Sequence, residues 1–586
     1  MLDSTWQKRV RTYRICSDSM FCDVNKIKMT SSFSSTQQPA EYSTEQNSGA
    51  DDWWRGAVIY QVYPRSLKDT NGDGVGDLPG VLEKLDYIAS LGVDAIWISP
   101  FFKSPMKDFG YDVSDYRQVD PLFGTMEDFD RLLAKAHALG LKVIIDQILS
   151  HTSDQHRWFT ESKTNRTNEK ADWYVWANPK DDGSPPNNWL SIFGGCAWQW
   201  STQRQQYYLH NFLVSQPDLN FHNKAVRTHI LEEVEFWLKK GVDGIRLDAI
   251  NFCFHDRLLR DNPNKPPEKR VGRGFSTDNP YAWQYHYFNN TQPENLEFIE
   301  ELRALLNKYP GTASLGEISS EDSLQTMAEY TEGDKRLHMA YSFELLVDNF
   351  STAHVRTVVE KSQASLESGR ACWAIGNHDV ARVASRWGGT EKEKQEQFAK
   401  LVLAFLVSLP GTICIYQGEE LGLTEAALQR DDVQDPYGLA FWPDFKGRDG
   451  CRTPMPWIEA EKNAGFSVNN PWLPLPDEHF SQAVDRQLQA SDSTLNICKA
   501  LMTWRRDTPL LTQGNIEFVD SPEGTLVFWR HHNEEHAVFA FNFLDRPVRV
   551  LIDNDVKTIE VAGFSTPIIE NKNLSLAPLT AFFGKA

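Results

Sequence analysis

The chain has 586 residues, of which 41% are apolar and 24% are charged, and its formal net charge is −20. This length exceeds what one hydrophobic core supports, so we expect two or three domains. The strong negative charge argues against nucleic acid and anionic membrane surfaces as partners. No apolar run reaches the length of about 18 residues that a membrane span needs. The eight scattered cysteines favour reduced buried thiols over a disulfide framework, and we expect a cytoplasmic protein.

Residues 1–50 have the composition of a disordered tail. Basic residues are scattered through the first part, and Ser, Thr, Gln and Glu dominate from Met29 onwards. Such a segment cannot bury a core, and it lacks the apolar stretch of a secretory signal peptide. Met29 is an alternative start of the chain.

The first predicted strand covers residues 57–63, and the loop after it has the composition of a cation site. Oxygen-bearing side chains alternate in this loop with glycines that allow sharp turns, as a hard cation requires. We expect a structural Ca²⁺ ion here, with Mg²⁺ as the alternative ion. The interpretation as an Asx-rich turn stays open, because the twelfth position, where an EF-hand has a bidentate Glu, is Gly80. The expected ligands are the side chains of Asp69, Asn71, Asp73 and Asp77 and the carbonyl of Val75.

Eight apolar segments alternate with helical patterns along most of the chain. This alternation is typical of a (β/α)8 TIM barrel, an α/β fold. The predicted strands are 57–63, 94–99, 142–148, 244–249, 313–318, 339–343, 371–375 and 412–416. The predicted helices are 79–91, 126–139, 229–240, 293–308, 354–366, 391–409 and 496–505.

A long segment rich in Trp, Asn, Pro and Gly, residues 152–222, interrupts the alternation after the third strand. A loop of this length is usually functional or a small domain, so we interpret it as an inserted lid domain. The catalytic barrel then comprises residues 53–151 and 223–513. Residues 514–586 contain short segments of period two, which predict a C-terminal antiparallel β-sandwich domain.

The fourth predicted strand carries Arg246 and Asp248, which is unusual for a buried strand. The two residues are two positions apart, so their side chains lie on the same face of the strand. Opposite charges on an inward face are costly unless something uses them. They are either a structural ion pair or a carboxylate nucleophile that an adjacent guanidinium group keeps ionised.

Further polar residues fall at predicted strand ends or just after them. In a barrel, the loops after the strands share one face, and active sites are found there. The chain has no zinc-type Cys/His cluster, no Ser-His-Asp order and no phosphate loop. Paired carboxylates suit glycosidic bond cleavage, in which one attacks the anomeric carbon and one carboxylic acid protonates the leaving oxygen. The set comprises Asp108, Tyr111, His151, Arg246, Asp248, Glu317, His378 and Asp379.

These residues resemble the signature regions of the α-amylase family of glycoside hydrolases, and they stand in the family's order. The similarity covers residues 53–586, and the most similar members are bacterial α-glucosidases and oligo-1,6-glucosidases. One departure is Ser150, where the family usually has Asn before the His. The regions are Asp146 to His151, Gly244-Ile-Arg246-Leu-Asp248, Glu317, Asn377-His378-Asp379, the fifth region Gln216-Pro-Asp-Leu-Asn220, and the further mark Arg452-Thr-Pro-Met-Pro-Trp457.

The resemblance implies catalytic roles for three carboxyl groups. Asp248 is the nucleophile, Glu317 is the general acid and then the base, and Asp379 holds two sugar hydroxyl groups. In exo-acting members an Asp–Arg pair closes the glucose pocket. Asp108 matches this Asp, and we expect Arg452 to be its partner, with Arg448 as the alternative. The implied substrate-binding residues are Asp108, Tyr111, His151, Phe193, Phe212, Arg246, His378 and Arg452.

The resemblance also implies a retaining, exo-acting α-glucosidase with a small oligosaccharide substrate, with transglycosylation as a further outcome. The residue after the nucleophile is Ala249. Small residues there go with α-1,4 bonds and Val with α-1,6 bonds, so we expect maltose-type substrates. The alternatives are an α-1,6-preferring oligoglucosidase, a sucrose-using glucosyltransferase or isomerase, and a binding-only relative, which the three carboxylates disfavour. We expect no organic cofactor and a monomer or weak homo-oligomer.

Overall fold

A computed structural model describes residues 52–586, apart from residues 271, 273, 274, 276, 366–369, 553–555, 565, 566 and 571. The predicted disordered tail, residues 1–50, lies outside the described residues. Within the described part of the chain, we find no helix with the length and apolar character needed to cross a membrane.

The eight predicted barrel strands form one parallel sheet. Each strand lies beside its neighbours in the chain, and the first pairs with the eighth. A parallel bridge between Ala340 and Ala371 joins the sixth strand to the start of the seventh, so the sheet closes into a ring. This confirms the predicted (β/α)8 barrel. The strands are Val58–Val62, Ala95–Ile98, Lys142–Ile148, Gly244–Asp248, Ala313–Ile318, Met339–Ser342, Cys372–Ala374 and Thr412–Tyr416.

A helix follows each barrel strand. One of the eight, Ser323–Thr331, has no predicted counterpart, because it is only nine residues long and buried Ser and Thr side chains interrupt its apolar residues. The helices are Leu78–Ser90, Met126–Ala138, Lys224–Lys240, Asn295–Leu306, Ser323–Thr331, Thr352–Ser365, Lys392–Val407 and Thr494–Arg506. Shorter helices cover Arg157–Ser162, Val383–Arg386, Pro436–Phe441, Asp477–Phe480, Val484–Gln489 and Pro509–Gln513.

Capping residues determine where the helix before the fourth strand begins and ends. The Asn223 side chain accepts the Ala225 amide, so the helix Lys224–Lys240 starts earlier than the predicted 229–240. Gly241 ends it with a φ of 97°, a conformation that glycine adopts without strain. The chain then enters the strand that carries Arg246.

The segment between the third and fourth barrel strands contains a small antiparallel sheet. A bridge between His151 and Asp218 brings the two ends of the segment together at the barrel. The status of residues 152–222 as a separate domain stays a prediction. The sheet strands are Trp176–Ala177, Trp198–Ser201 and Gln206–Leu209, and a two-stranded ribbon, Phe102–Lys103 with Asp115–Val119, follows the second barrel strand.

The C-terminal part forms two antiparallel sheets, as predicted. Val527 and Val538 from the larger sheet pack with Val550 and Leu574 from the smaller one in a shared apolar core. The larger sheet comprises Asn515–Val519, Thr525–His532, Glu535–Asn542, Lys557–Thr558 and Thr580–Lys585. The smaller sheet comprises Val548–Leu551, Ile568–Glu570 and Asn573–Leu576.

Candidate active site

Arg246 is the centre of a buried cluster of charged groups at the carboxyl end of the barrel. Its side chain is fully buried, and its Nη1 donates to Asp146 Oδ1 and to Asp248 Oδ1, both at 2.8 Å. Its Nη2 lies 2.5 Å from Glu317 Oε1. One cation therefore holds carboxyl groups from three neighbouring strands, and the predicted pair of Arg246 and Asp248 is part of a larger network.

The three carboxyl groups compete for a single positive charge. Burial raises the pKa of Asp248 well above its ordinary value, although Arg246 opposes the effect. Burial also raises the pKa of Asp146 to about 6. Carboxyl groups that share one cation titrate jointly, so the cluster keeps a proton to higher pH than isolated carboxyl groups do. The nucleophile of glycosidic cleavage must be ionised, and Arg246 Nη1, which donates to Asp248 Oδ1 at 2.8 Å, favours that form of Asp248.

Glu317 has partners on both of its oxygens. Tyr341 donates its hydroxyl to Oε1 at 2.7 Å, and the backbone amide of Ala249 donates to Oε2 at 3.0 Å. Ala249 has a φ of 40° and a ψ of 47°, a left-handed conformation that is uncommon outside glycine. This turn directs the amide that follows Asp248 towards Glu317.

Arg448, and not Arg452, pairs with Asp108. Arg448 Nη2 lies 2.9 Å from Asp108 Oδ1, and its Nη1 lies 3.1 Å from Asp379 Oδ1. Arg452 donates from Nε to the carbonyl of His378 at 2.7 Å and from Nη2 to Asp379 Oδ1 at 3.0 Å. The expected pairing of Arg452 with Asp108 is therefore wrong, and Arg448, the alternative, is the partner; that this pair closes the pocket stays a prediction.

Arg448 pairs with Asp108 because a third residue, Asp435, holds its guanidinium group in place. This fully buried carboxylate accepts from the amide, Nε and Nη2 of Arg448 at 2.8, 3.2 and 2.8 Å, which fixes the direction of the guanidinium group. A short 3-10 turn, Asp449–Cys451, separates the two arginines. Burial favours neutral Asp379, but the guanidinium groups of Arg448 and Arg452 outweigh it and hold the pKa of Asp379 well below its ordinary value.

The two predicted histidines are buried and neutral. Burial lowers the pKa of His151 to about 4 and that of His378 to about 3. His151 Nδ1 lies 3.0 Å from Ser150 Oγ, and its Nε2 lies 3.0 Å from the carbonyl oxygen of Tyr111. Ser150, the departure from the family pattern, therefore still contacts the imidazole. The ring of His378 is stacked on Tyr111 with centroids 5.3 Å apart.

A pocket of about 740 Å³, including its open mouth, lies in front of these groups. Arg246, His378 and Arg452 are buried behind its lining. Aromatic side chains from the lid segment and the barrel loops form much of the wall, which suits the exclusion of water from a sugar site. The predicted residues in the lining are Asp108, Tyr111, His151, Phe193, Phe212, Asp248, Glu317 and Asp379, and further members are Gln216, Phe252, Phe343, Tyr437 and Arg448.

Three residues of the site are absent from the site residues predicted from the sequence. Gln216 donates to Asp108 Oδ2 at 3.0 Å, and its place in the fifth resembling region was a usable signal. Tyr341 lies within a buried strand, where a tyrosine has the appearance of core packing. Asp435 caps the short helix Pro436–Phe441, and an Asp before a Pro indicates a helix start and not a partner for Arg448.

The predicted cation loop, residues 69–77, is arranged by its own hydrogen bonds. The two carboxylate oxygens of Asp69 accept from loop amides at 2.7 and 2.9 Å. Asn71 accepts from the amide of Asp73, and Asp73 accepts from the amide of Val75, both at 2.8 Å. These contacts resemble the Asx-turn alternative, and they also gather oxygen atoms on one short loop.

Asp77 ends this loop and caps the first barrel helix by accepting the Gly80 amide at 2.7 Å. Across the residues that the structure describes, no three or more His, Cys, Asp or Glu side chains are grouped as metal ligands. The oxygen donors of the loop are of the type that Ca²⁺ takes, with an Asn and a carbonyl among them. Ca²⁺ binding therefore stays a prediction.

Comparison with known proteins places this site in a family. The family model "Alpha amylase, catalytic domain" matches residues 61–514. A "Probable alpha-glucosidase" of Rhizobium meliloti (strain 1021) is 52% identical over 537 residues, which cover 91% of this chain and 97% of that protein. An oligo-1,6-glucosidase of Heyndrickxia coagulans is 38% identical over 85% of this chain and 93% of its own length.

Solved structures agree with this placement. The crystal structure of an alpha-glucosyl transfer enzyme, XgtA, superposes with a TM-score of 0.89 at 60% sequence identity, covering 91% of this chain and 99% of that chain. The family match spans most of the barrel that carries Arg246 and its three carboxyl groups. The chain therefore belongs to the α-amylase family and is an α-glucosidase-type glycoside hydrolase.

Proposed function

We propose that this enzyme is a retaining, exo-acting α-glucosidase that releases terminal glucose from short α-1,4-linked oligosaccharides such as maltose. The observation that carries the proposal is that Asp248 and Glu317 contact the two terminal nitrogens of one guanidinium group, that of Arg246. Two carboxyl groups on one guanidinium group support the retaining arrangement, with a separation of about 5–5.5 Å, over an inverting one, which needs room for water between them.

In the first step, an oxygen of Asp248 attacks the anomeric carbon of the terminal glucose. The bond to the leaving oxygen breaks with its electron pair, and Glu317 gives its proton to that oxygen. The product is a β-glucosyl ester on Asp248. In the second step, Glu317 takes a proton from water while the water oxygen attacks the anomeric carbon and the ester bond breaks. Two inversions give α-glucose.

Asp379 has the charge state that its proposed role needs. Arg448 and Arg452 favour its ionised form, so it can accept hydrogen bonds from sugar hydroxyl groups and stabilise the positive charge that develops on the ring. Neutral His151 and the ring of Tyr111 line the same end of the pocket.

The pair formed by Asp108 and Arg448 supports exo action. Arg448 contacts one oxygen of Asp108, and Gln216 donates to the other, so both oxygens of this carboxylate are occupied. Paired charged groups at the end of a pocket leave room for a terminal sugar and not for a continuing chain.

The bond preference rests on Ala249. It lines the pocket beside both catalytic carboxyl groups, and its small side chain supports α-1,4 substrates. The similarity to an oligo-1,6-glucosidase supports an α-1,6 preference as the alternative. The similarity to an alpha-glucosyl transfer enzyme supports transfer to an acceptor hydroxyl group, because water and acceptors compete for the same glucosyl ester. Sucrose is the alternative donor.

We further propose that a structural Ca²⁺ ion, with Mg²⁺ as the alternative, binds the loop of residues 69–77. The side chains of Asp69, Asn71, Asp73 and Asp77 and the carbonyl of Val75 would hold it. The ion would tie the loop to the start of the first barrel helix and would take no part in the chemical steps.

Two variants test the catalytic assignment. Asp248→Ala should lower kcat for maltose by about 10⁴-fold or more, because no covalent ester can form. Glu317→Gln should lower kcat for maltose by about 10²–10⁴-fold, yet still release an activated phenol from an aryl α-glucoside in a burst. Asp492→Ala, at an exposed position, is the control. Wild-type-like turnover by Asp248→Ala would refute the nucleophile assignment.

A further inference from the structure

Tyr341 faces Glu317 across two neighbouring barrel strands. The two residues are direct partners in the parallel register, so their side chains lie on the same face of the sheet. The Tyr341 hydroxyl donates to Glu317 Oε1 at 2.7 Å and accepts from Arg246 Nη2 at 2.9 Å. The phenol therefore contacts both the central cation and one oxygen of Glu317.

The two oxygens of Glu317 have different surroundings. Oε1 accepts the Tyr341 hydroxyl at 2.7 Å and lies 2.5 Å from the positively charged Nη2 of Arg246. Oε2 faces one donor, the Ala249 amide, at 3.0 Å. A proton on Oε1 would compete with the phenol proton and would face the positive guanidinium group, so a proton on Glu317 is directed to Oε2.

Tyr341 is suited to hold this arrangement. The side chain is 2% exposed, and its ring packs against Trp97 with centroids 6.1 Å apart. Burial raises the pKa of its hydroxyl well above the ordinary value, so the phenol keeps its proton. Of its two polar partners, the guanidinium group of Arg246 cannot accept a hydrogen bond, so the phenol donates its proton to Glu317.

We propose that Tyr341 is a positioning residue that confines the catalytic proton to Oε2 of Glu317 and stabilises the carboxylate left behind after proton transfer. During glycosidic cleavage the proton moves from Oε2 to the leaving oxygen, which keeps the electron pair of the broken bond. The charge that Glu317 gains is then shared with the Tyr341 hydroxyl. This inference rests on the proposed role of Glu317 as the general acid.

Tyr341→Phe removes one hydrogen bond and keeps the ring. The ionised form of Glu317 then loses a donor, so the alkaline limb of the pH profile of kcat/KM should move up by about one pH unit. The proton can also reside on Oε1, away from the leaving oxygen. For maltose, kcat should fall by about 10–100-fold while KM changes little.

The test compares two substrates and two tyrosines. Maltose needs protonation of its leaving group, whereas 2,4-dinitrophenyl α-glucoside does not, so Tyr341→Phe should slow the first reaction and leave the burst rate of the second within about threefold. Tyr330→Phe is the matched control, because Tyr330 is also 2% exposed and accepts a hydrogen bond, from Asn295 at 2.9 Å, outside the pocket lining. It should change neither rate.

The outcomes separate this inference from the proposed function. An unmoved alkaline limb in Tyr341→Phe, or equal losses on both substrates, would overturn the positioning role. If Glu317→Gln in the same experiments loses maltose turnover and keeps the phenol burst, Glu317 is still the general acid and only the role of Tyr341 is refuted. If Glu317→Gln retains maltose turnover, the proposed function itself fails. A melting temperature for Tyr341→Phe close to that of Tyr330→Phe shows that both variants are folded.

Discussion

The backbone amide of Ala249 donates to Glu317 Oε2 over 3.0 Å, so the residue directly after the proposed nucleophile holds the proposed general acid. The side chain at position 249 also lines the sugar pocket. A substitution there therefore acts on the shape of the pocket and on the position of the acid together.

Ala249→Val should raise the ratio of kcat/KM for isomaltose to kcat/KM for maltose several-fold. The added methyl groups narrow the pocket at the point where the scissile bond lies. A β-branched residue is strained at a φ of 40°, so the variant should also lose stability, on the order of 1–3 kcal/mol. Ala249→Gly, which fits this φ, is the control and should keep both the ratio and the melting temperature. An unchanged ratio in a folded Val variant would remove the linkage argument.

Arg448→Lys should lower kcat/KM for maltose by about 10²-fold, mainly through KM. A lysine cannot reproduce the fork that contacts Asp108, Asp379 and Asp435 at once. Arg448→Ala should in addition cost about 3–5 kcal/mol, because it leaves buried carboxylates without their cation. Steady-state kinetics and thermal melts check both statements, with Arg430→Lys, at an exposed position before the helix Pro436–Phe441, as control. An unchanged KM in Arg448→Lys would contradict the pocket-closing role.

Asp218 should make the enzyme less stable at alkaline pH. Burial raises the pKa of this carboxyl group to about 8 in the folded state, against about 3.9 in the unfolded chain. The stabilisation from the bound proton is thus complete at low pH and is lost as the pH rises through the folded value. Between about pH 6 and about pH 9 this group should cost roughly 2–3 kcal/mol of unfolding free energy.

Asp218→Asn separates this group from the other buried carboxyl groups. The amide keeps the shape of the side chain and cannot ionise. The variant should therefore not lose this contribution to the unfolding free energy as the pH rises. Urea denaturation at the two pH values gives the comparison. The prediction fails if wild type and Asp218→Asn lose the same free energy.

Removal of divalent cations should lower the melting temperature by a few degrees, through the loop of residues 69–77. Added Ca²⁺ should restore it. Asp73→Asn keeps an oxygen that can accept the Val75 amide but removes one ligand charge, so its response to chelator should be smaller. A chelator that leaves the wild-type melting curve unchanged, after prolonged dialysis, would favour a loop held only by its Asx turns.

Most of the barrel could be predicted because its strands are short apolar runs that alternate with amphipathic helices. The helix Ser323–Thr331 was not predicted, since it is short and its buried face mixes hydroxyl side chains with apolar ones. In the site, Arg246 and Asp248 were recognisable because charges on one face of a buried strand need an explanation.

The pairing of the arginines could not be predicted from spacing. Arg448 and Arg452 lie four positions apart in an irregular loop, and the choice between them depends on Asp435, which has no sequence relationship to either. The contact of Tyr341 could not be predicted either, because only the register of the fifth and sixth strands brings its hydroxyl to Glu317. Such tertiary contacts between distant segments are set by the assembled fold.

Proton NMR of the enzyme with maltose, followed from the first seconds, tests the central claim most directly. The two-carboxylate retaining mechanism predicts that the glucose released from the non-reducing end appears first as the α-anomer and only later mutarotates. Initial release of β-glucose would contradict the mechanism. If maltose stays intact while sucrose or isomaltose is cleaved with retention, the proposed α-1,4 preference is wrong. No cleavage of any of the three would contradict the proposed glucosidase activity itself.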